Sequence, residues 1–310
     1  MLIFVSHNVS HAKRYAFKNH VASMILKYTS RFTHCLICVC KLLFLTTTFS
    51  SSASENIPKV SSTVDGLHIV AINKLPAAPQ KTPSDEPVLN CDRDPPRTIE
   101  GKAVSSLGWR VINEISNGDL TIVGSFSKGV DGTSGSCFVK DGNVAIYSKG
   151  SLQALIYGDK ITDGSNSPLG AVSKTNLNNT FRLRDFFPGM TAVADLFYDG
   201  NVARVQPIAP IEPFCNGIAP VPNIYGKDIK SARKLLKNYG WKPENTEADQ
   251  SDSIAKELNS EGINEVYSCS GTGFGFCNFD YQREGGISLN VITMGDDFTV
   301  TDYGAHCPEQ

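Results

Sequence analysis

WRVINEISNGDLTIVGSF, residues 109–126, decides how the body of this chain is read. Runs of apolar or alternating residues stand on either side of Asn117-Gly118. That dipeptide accepts positive φ at both central positions of a tight turn, and the turn's twist matches that of paired strands. The stretch therefore predicts a β-hairpin. Working outward, Asp141-Gly142 stands between CFVK and NVAIYS, and Asp199-Gly200 between AVADLFY and NVARVQPI. Adding LQALIY and FRLR gives about eight strands over residues 91–212, with no helical periodicity among them. The expectation is an all-β domain, a small sandwich or barrel.

From Pro213 the pattern changes. Asp228 to Tyr239 places Ile229, Ala232, Leu235, Leu236 and Tyr239 on one face, and Gly240 stops the run. A second helix is predicted over Ser253 to Ser260, ahead of Gly262. Cys277, Phe279 and Tyr281 then alternate with polar residues, and a turn at Glu284-Gly285-Gly286 leads to Ile287, Leu289 and Val291. A last strand is expected over Thr299 to Tyr303. Two helices followed by an antiparallel sheet make residues 213–310 an α+β layer.

Within it, VPNIYGKDIKSARKLLKNYGW, Val221 to Trp241, resembles the opening of a PASTA module. Pro222, Gly226, Ala232 and Gly240 stand where that family has a Pro-containing strand, a Gly, a small inward helix residue and a second Gly. The resemblance implies an extracytoplasmic module that in some family members contacts peptidoglycan fragments and elsewhere only stacks or spaces. The sequence departs from the family in its inserted second helix, its three downstream cysteines and its single copy. No family binding residue can be carried over.

Charge and cysteine usage divide the chain in the same place. Residues 1–53 hold Lys13, Arg14, Lys18, Lys27, Arg31 and Lys41 and no acid, so the remainder carries a formal balance of −8. So acidic a body repels nucleic acid through its average field. The apolar run 36–49, LICVCKLLFLTTTF, has the length of a signal-peptide core, and SSSASE after it supplies small residues for cleavage near Ala53. It is too short to span a bilayer, which takes about 20 residues. Residues 1–53 are thus read as a leader, from Met1 or Met24, with an uncleaved anchor or a mitochondrial presequence as alternatives. Residues 54–90, with five prolines, are read as a linker carrying one short strand from Leu67 to Ile72. The expected location is extracytoplasmic, periplasmic or secreted. In such a compartment Cys91, Cys137, Cys215, Cys269, Cys277 and Cys307 pair, and of 15 connectivities the preferred one is Cys269–Cys277, Cys91–Cys137 and Cys215–Cys307.

Candidate sites are sparse. Ser136 and Cys137, in a Gly-rich loop, resemble a glycine-flanked hydrolase nucleophile, but only His68 and His306 lie in the body as candidate bases. Ser270 to Phe276, SGTGFGF, lacks the following helix that holds a phosphate. It reads instead as a disulfide-closed loop whose Phe274 and Phe276 are candidate binding anchors. Trp241 is a third aromatic candidate, or a core residue. Glu247, Asp249, Asp252 and Glu257 surround the start of the second helix without calcium-loop spacing, and Asp296 and Asp297 follow Gly295 in a turn. No metal or cofactor set is legible, and no catalytic one. The sequence therefore implies a non-catalytic exported envelope protein. Its expected partner is a peptidoglycan fragment or another exported protein, with neither nucleic acid nor a stable membrane span. An envelope hydrolase with a non-contiguous site and a secreted inhibitor or immunity-type protein are the alternatives.

Overall fold

The computed structural model describes residues 57–79, 91, 95–132, 136–162, 164–186, 190–246, 251–271 and 273–308, with the side chain of Asp131 left aside. All belong to one compact unit, Ser54–Gln310. Residues 1–53, read as a leader with Cys35, Cys38 and Cys40 and an expected cleavage near Ala53, lie outside the described residues, as do Glu247 and Asp249.

The chain is mainly β. Its first strands are β1 (Lys59–Ser62) and β2 (Leu67–Ala71), followed by a helix, α1 (Ile99–Ser106). Ten strands come next: β3 (Arg110–Asn117), β4 (Leu120–Phe126), β5 (Lys128–Asp131), β6 (Cys137–Lys140), β7 (Asn143–Ser148), β8 (Ser151–Gly158), β9 (Leu169–Lys174), β10 (Thr180–Asp185), β11 (Ala192–Tyr198) and β12 (Val202–Gln206). They form two open five-stranded sheets, ordered β2-β8-β7-β4-β3 and β1-β12-β11-β10-β9, and a ribbon of β5 and β6. Neither sheet closes into a barrel. One apolar cluster draws on both, with Ile122, Ile146 and Ile156 from the first and Leu183, Leu196 and Val205 from the second, all at 0 % exposure. At the β3 and β9 edges the sheets are laced together. The register of β3 shifts between Val111 and Asn113, and the freed Asn113 amide bonds both backbone groups of Val172. Beside it Gly124 meets the Gly170 carbonyl so closely that a Cβ would collide with it.

Four expectations are corrected here. The stretch read as a linker supplies two strands, β1 pairing parallel with β12 and β2 antiparallel with β8; β1 is short, polar and parallel, so no pattern marks it. The turn after β3 is centred on Gly118 and Asp119, with positive φ at Gly118 alone, one residue later than Asn117-Gly118. Asp141-Gly142 is no hairpin: β6 pairs with β5 and β7 with β4 and β8, so the dipeptide carries the chain between sheets. Finally, α1 was not foreseen, because only Gly101 and Val104 face inward and leave no periodic stripe. It is fixed at its ends instead. Thr98 caps Gly101 N–H at 2.9 Å, and the Glu114 carboxylate accepts Arg97 N–H at 2.7 Å.

Residues from Ile211 onward build the second layer. A hairpin of β13 (Ile211–Phe214) and β14 (Ala219–Pro222) precedes α2 (Ile229–Asn238), β15 (Lys242–Pro243), α3 (Ser253–Ser260) and β16 (Val266–Cys269). Then come β17 (Cys277–Arg283), β18 (Ile287–Met294) and β19 (Thr299–His306), in a sheet ordered β15-β17-β18-β19 with β16 also on β17. Both helices begin at an Asp cap: Asp228 accepts Ser231 N–H and Asp252 accepts Ala255 N–H, each at 2.9 Å. Their inward residues Ile229, Ala232, Leu236, Ala255 and Leu258 pack on Phe279, Tyr281, Leu289 and Val291. Three disulfides brace the unit: Cys91–Cys137, Cys215–Cys307 and Cys269–Cys277. No helix among the described residues is long and apolar enough to cross a membrane.

Candidate functional site

A cleft of about 800 Å³ lies where the start of α2, one face of α3 and the β18–β19 turn converge. Backbone hydrogen bonds hold its walls. Gly226 N–H donates to the Val300 carbonyl at 2.9 Å and Val300 N–H to that of Lys227 at 2.8 Å, pinning the approach to α2 against β19. Gly295 N–H donates to the Phe274 carbonyl at 2.8 Å and ties in the loop closed by Cys269–Cys277. Ile254, Glu257, Leu258 and Glu261, spaced as one face of α3, complete it.

Its lining is acidic. Asp228, Glu257, Glu261, Asp296 and Asp297 face one cation, Lys230, whose Nζ lies 2.8 Å from Glu261. That hydrogen bond and the charge of Glu261 raise the Lys230 pKa, while the Ser231 hydroxyl and N–H hold the Asp228 carboxyl below its usual value. Such a cleft suits a ligand carrying ammonium groups, since its one lining cation, Lys230, is already paired with Glu261.

The structure brings Glu257, Asp296 and Asp297 together with Gly275 of the SGTGFGF loop. It does not bring the aromatic candidates with them. Phe274 is half-buried with its ring against Phe138, 6.0 Å between centroids, and Phe276 packs edge-on to Phe274 at 6.5 Å. The loop is thus docked on β6 and is not a free tip. Trp241 is 1 % exposed and donates to the Pro220 carbonyl at 3.0 Å, which makes it a core residue. Asp252, besides capping α3, accepts Cys269 N–H at 2.6 Å. Cys137 is held in its disulfide, and His68 faces Asp159 at 2.5 Å and the Tyr157 ring at 5.4 Å. His306 is exposed at the end of β19. Asp228, Lys230 and Glu261 were not singled out in the sequence; the i, i+4 pair Glu257–Glu261 on the outer face of α3 was the available signal.

A family model, the PASTA domain, matches residues 219–270. The C-terminal part of the chain thus carries a PASTA domain, and the remainder matches no family. The matched span runs from β14 through β16, so the cleft joins matched helices to a turn and a loop beyond the match. No curated protein matches the chain. No solved structure does either.

Proposed function

We propose that this chain is an exported envelope protein that binds a peptidoglycan fragment in the acidic cleft of its C-terminal layer, without catalysing a reaction on it. The PASTA match carries the reading, since such domains are typically extracellular peptidoglycan-binding modules. Three disulfides agree with an oxidising compartment. In this reading residues 1–53 are a leader removed near Ala53, and the two five-stranded sheets pack as a sandwich that presents residues 213–310 to the wall. Amines of the stem peptide would meet Glu257, Asp296 and Asp297.

The test is co-sedimentation of the oxidised mature chain with purified sacculi, with soluble muropeptides as competitors. Pelleting that muropeptides compete away, and that Glu257→Ala with Asp297→Ala weakens, is the expected result. Pelleting indifferent to muropeptides, or none, would remove the wall as ligand. Release of soluble fragments from the sacculi would replace the binding role with a hydrolytic one.

A further inference from the structure

Helix α2 presents two stripes. Its apolar residues face the core, and Lys230, Arg233, Lys234 and Lys237 recur at i, i+3, i+4 and i+7, sharing an outer face about 10 Å long. With Lys242 they wall a groove of about 430 Å³ floored by Trp241 and Pro243. Two of the five cations are compensated, Lys230 by Glu261 at 2.8 Å and Arg233 by Glu265 at 2.9 Å. Arg233 is also held in place. Glu265 is fully buried and bonded to the Tyr281 hydroxyl, and Arg233 Nη1 donates to the Gly262 carbonyl at 2.9 Å. Lys234, Lys237 and Lys242 are exposed and have no anionic partner among the described residues. Like charges at helical i, i+3 and i, i+4 spacing destabilise a helix. The pairs Lys230–Glu261 and Arg233–Glu265 offset part of that, and among the described residues no ion pair offsets it at Lys234, Lys237 or Lys242.

We propose that this groove binds a polyanion of repeating phosphodiesters, of the alditol- or sugar-phosphate kind. The surplus is local, because the chain beyond residue 53 is acidic overall. Ammonium groups act as point charges well suited to phosphate. Their spacing of about 5–6 Å along the helix lets neighbouring lysines take successive phosphates of an extended chain. A nucleic acid fits less well. The one aromatic in the groove, Trp241, is 1 % exposed and offers no face on which a base could stack. A membrane surface also fits less well, because the apolar face of α2 is occupied by the core and has nothing to insert. The inference does not rest on the peptidoglycan reading: the groove and the acidic cleft are separate surfaces that share only Lys230.

The experiment is fluorescence anisotropy of labelled poly(glycerol phosphate) titrated with the oxidised protein across a salt series. Affinity that falls with salt is expected; indifference to salt overturns the proposal. Combining Lys234→Gln, Lys237→Gln and Lys242→Gln should weaken binding about tenfold or more and reduce the log–log salt slope by about two. Lys59→Gln with Lys160→Gln and Lys174→Gln changes net charge equally on exposed sites elsewhere and should leave affinity within about twofold. Equal losses in the two triple variants would overturn the proposal. So would polyglutamate, a 20-nucleotide single strand or phosphatidylglycerol vesicles binding as tightly as the polymer. Sacculi stripped of phosphate polymers separate the two readings, since their pelleting depends on Glu257 and Asp297 and not on the three lysines.

Discussion

Replacing Arg182 tests how the two layers are joined. Arg182, on β10, is 2 % exposed; its Nε lies 2.6 Å from Asp195 Oδ1 and its Nη2 3.1 Å from Glu212 Oε2. Its guanidinium lies 5.1 Å from the centre of the Tyr225 ring. Burial opposes its charge, but Tyr225, Asp195 and Glu212 outweigh that and raise its pKa. Arg182→Met leaves two carboxylates, at 0 % and 5 % exposure, without their cation. Breaking one side of such a buried pair costs about 3–5 kcal/mol, a large part of the roughly 5–15 kcal/mol that keeps a domain folded. Adding Asp195→Asn and Glu212→Gln to that variant removes the stranded charge. It also keeps the carbonyl oxygens that accept Ala209 N–H at 2.8 Å and Asn176 N–H at 3.0 Å. The triple variant should therefore be more stable than the single one, short of wild type by about 1–3 kcal/mol for amide groups left unpaired. Urea unfolding followed by tryptophan emission is the assay, because Trp109 lies in the first layers and Trp241 in the last. A triple variant less stable than Arg182→Met, or a single variant costing under about 1 kcal/mol, would refute the argument.

Two further predictions concern the disulfides and the first cap of the C-terminal layer. Cys→Ala pairs should destabilise in the order of the loops closed, 92 residues for Cys215–Cys307, 46 for Cys91–Cys137 and 8 for Cys269–Cys277. The chain-entropy model gives about 4.5, 4 and 2.5 kcal/mol respectively, to be read from urea midpoints of the oxidised variants. Asp228 has its folded pKa depressed by Ser231, so its contribution is present above the unfolded value of about 4 and lost as pH falls through the folded one. Asp228→Asn should keep neutral stability within about 0.5 kcal/mol and flatten the acid limb of the stability profile, whereas Asp228→Ala should cost about 1 kcal/mol at neutral pH. Urea titrations at a series of pH values distinguish these outcomes.

What the sequence disclosed follows from where each element gets its stability. The helix at Ile229–Asn238 was legible because five inward residues and a Gly stop repeat with its period, and β17 and β18 because one face of each is core. By contrast, α1 owes its position to Thr98 and Glu114, which sit outside any stripe. Turn chemistry identified hairpins and still misplaced partners. Asp141-Gly142 satisfies the local rule, yet Asp141 and Gly142 N–H donate to Asn166 and Ser167, 25 residues on, and the strands on either side enter different sheets. The true tight turn at Lys149-Gly150 carries positive φ at both residues without an Asn or Asp to announce it. Of the cleft, the acids at 257, 296 and 297 were visible singly. Their convergence was not, because it depends on Gly295 bonding Phe274 and on Val300 bonding Lys227, two long-range backbone contacts that leave no trace in composition.

Side-chain contacts with the first layers set how the PASTA domain is seated in this chain. A module that serves as one bead in a string needs only its own core. Here Tyr225, at the approach to α2, stacks on Tyr303 with 4.4 Å between centroids and accepts a hydrogen bond from Arg184 of β10 at 3.1 Å. Arg184 also holds Asp302 at 2.8 Å, and Glu212 from β13 reaches Arg182. Tyr225 adjoins Gly226, and Asp302 lies three residues from Thr299; both Gly226 and Thr299 line the acidic cleft. Two arginines of the second five-stranded sheet thus set the backbone on either side of the cleft. A linker joining two independent domains would leave that backbone free to shift with each module. In this fold the first layers frame the cleft, so a ligand bound there as proposed would engage more of the chain than the matched domain alone.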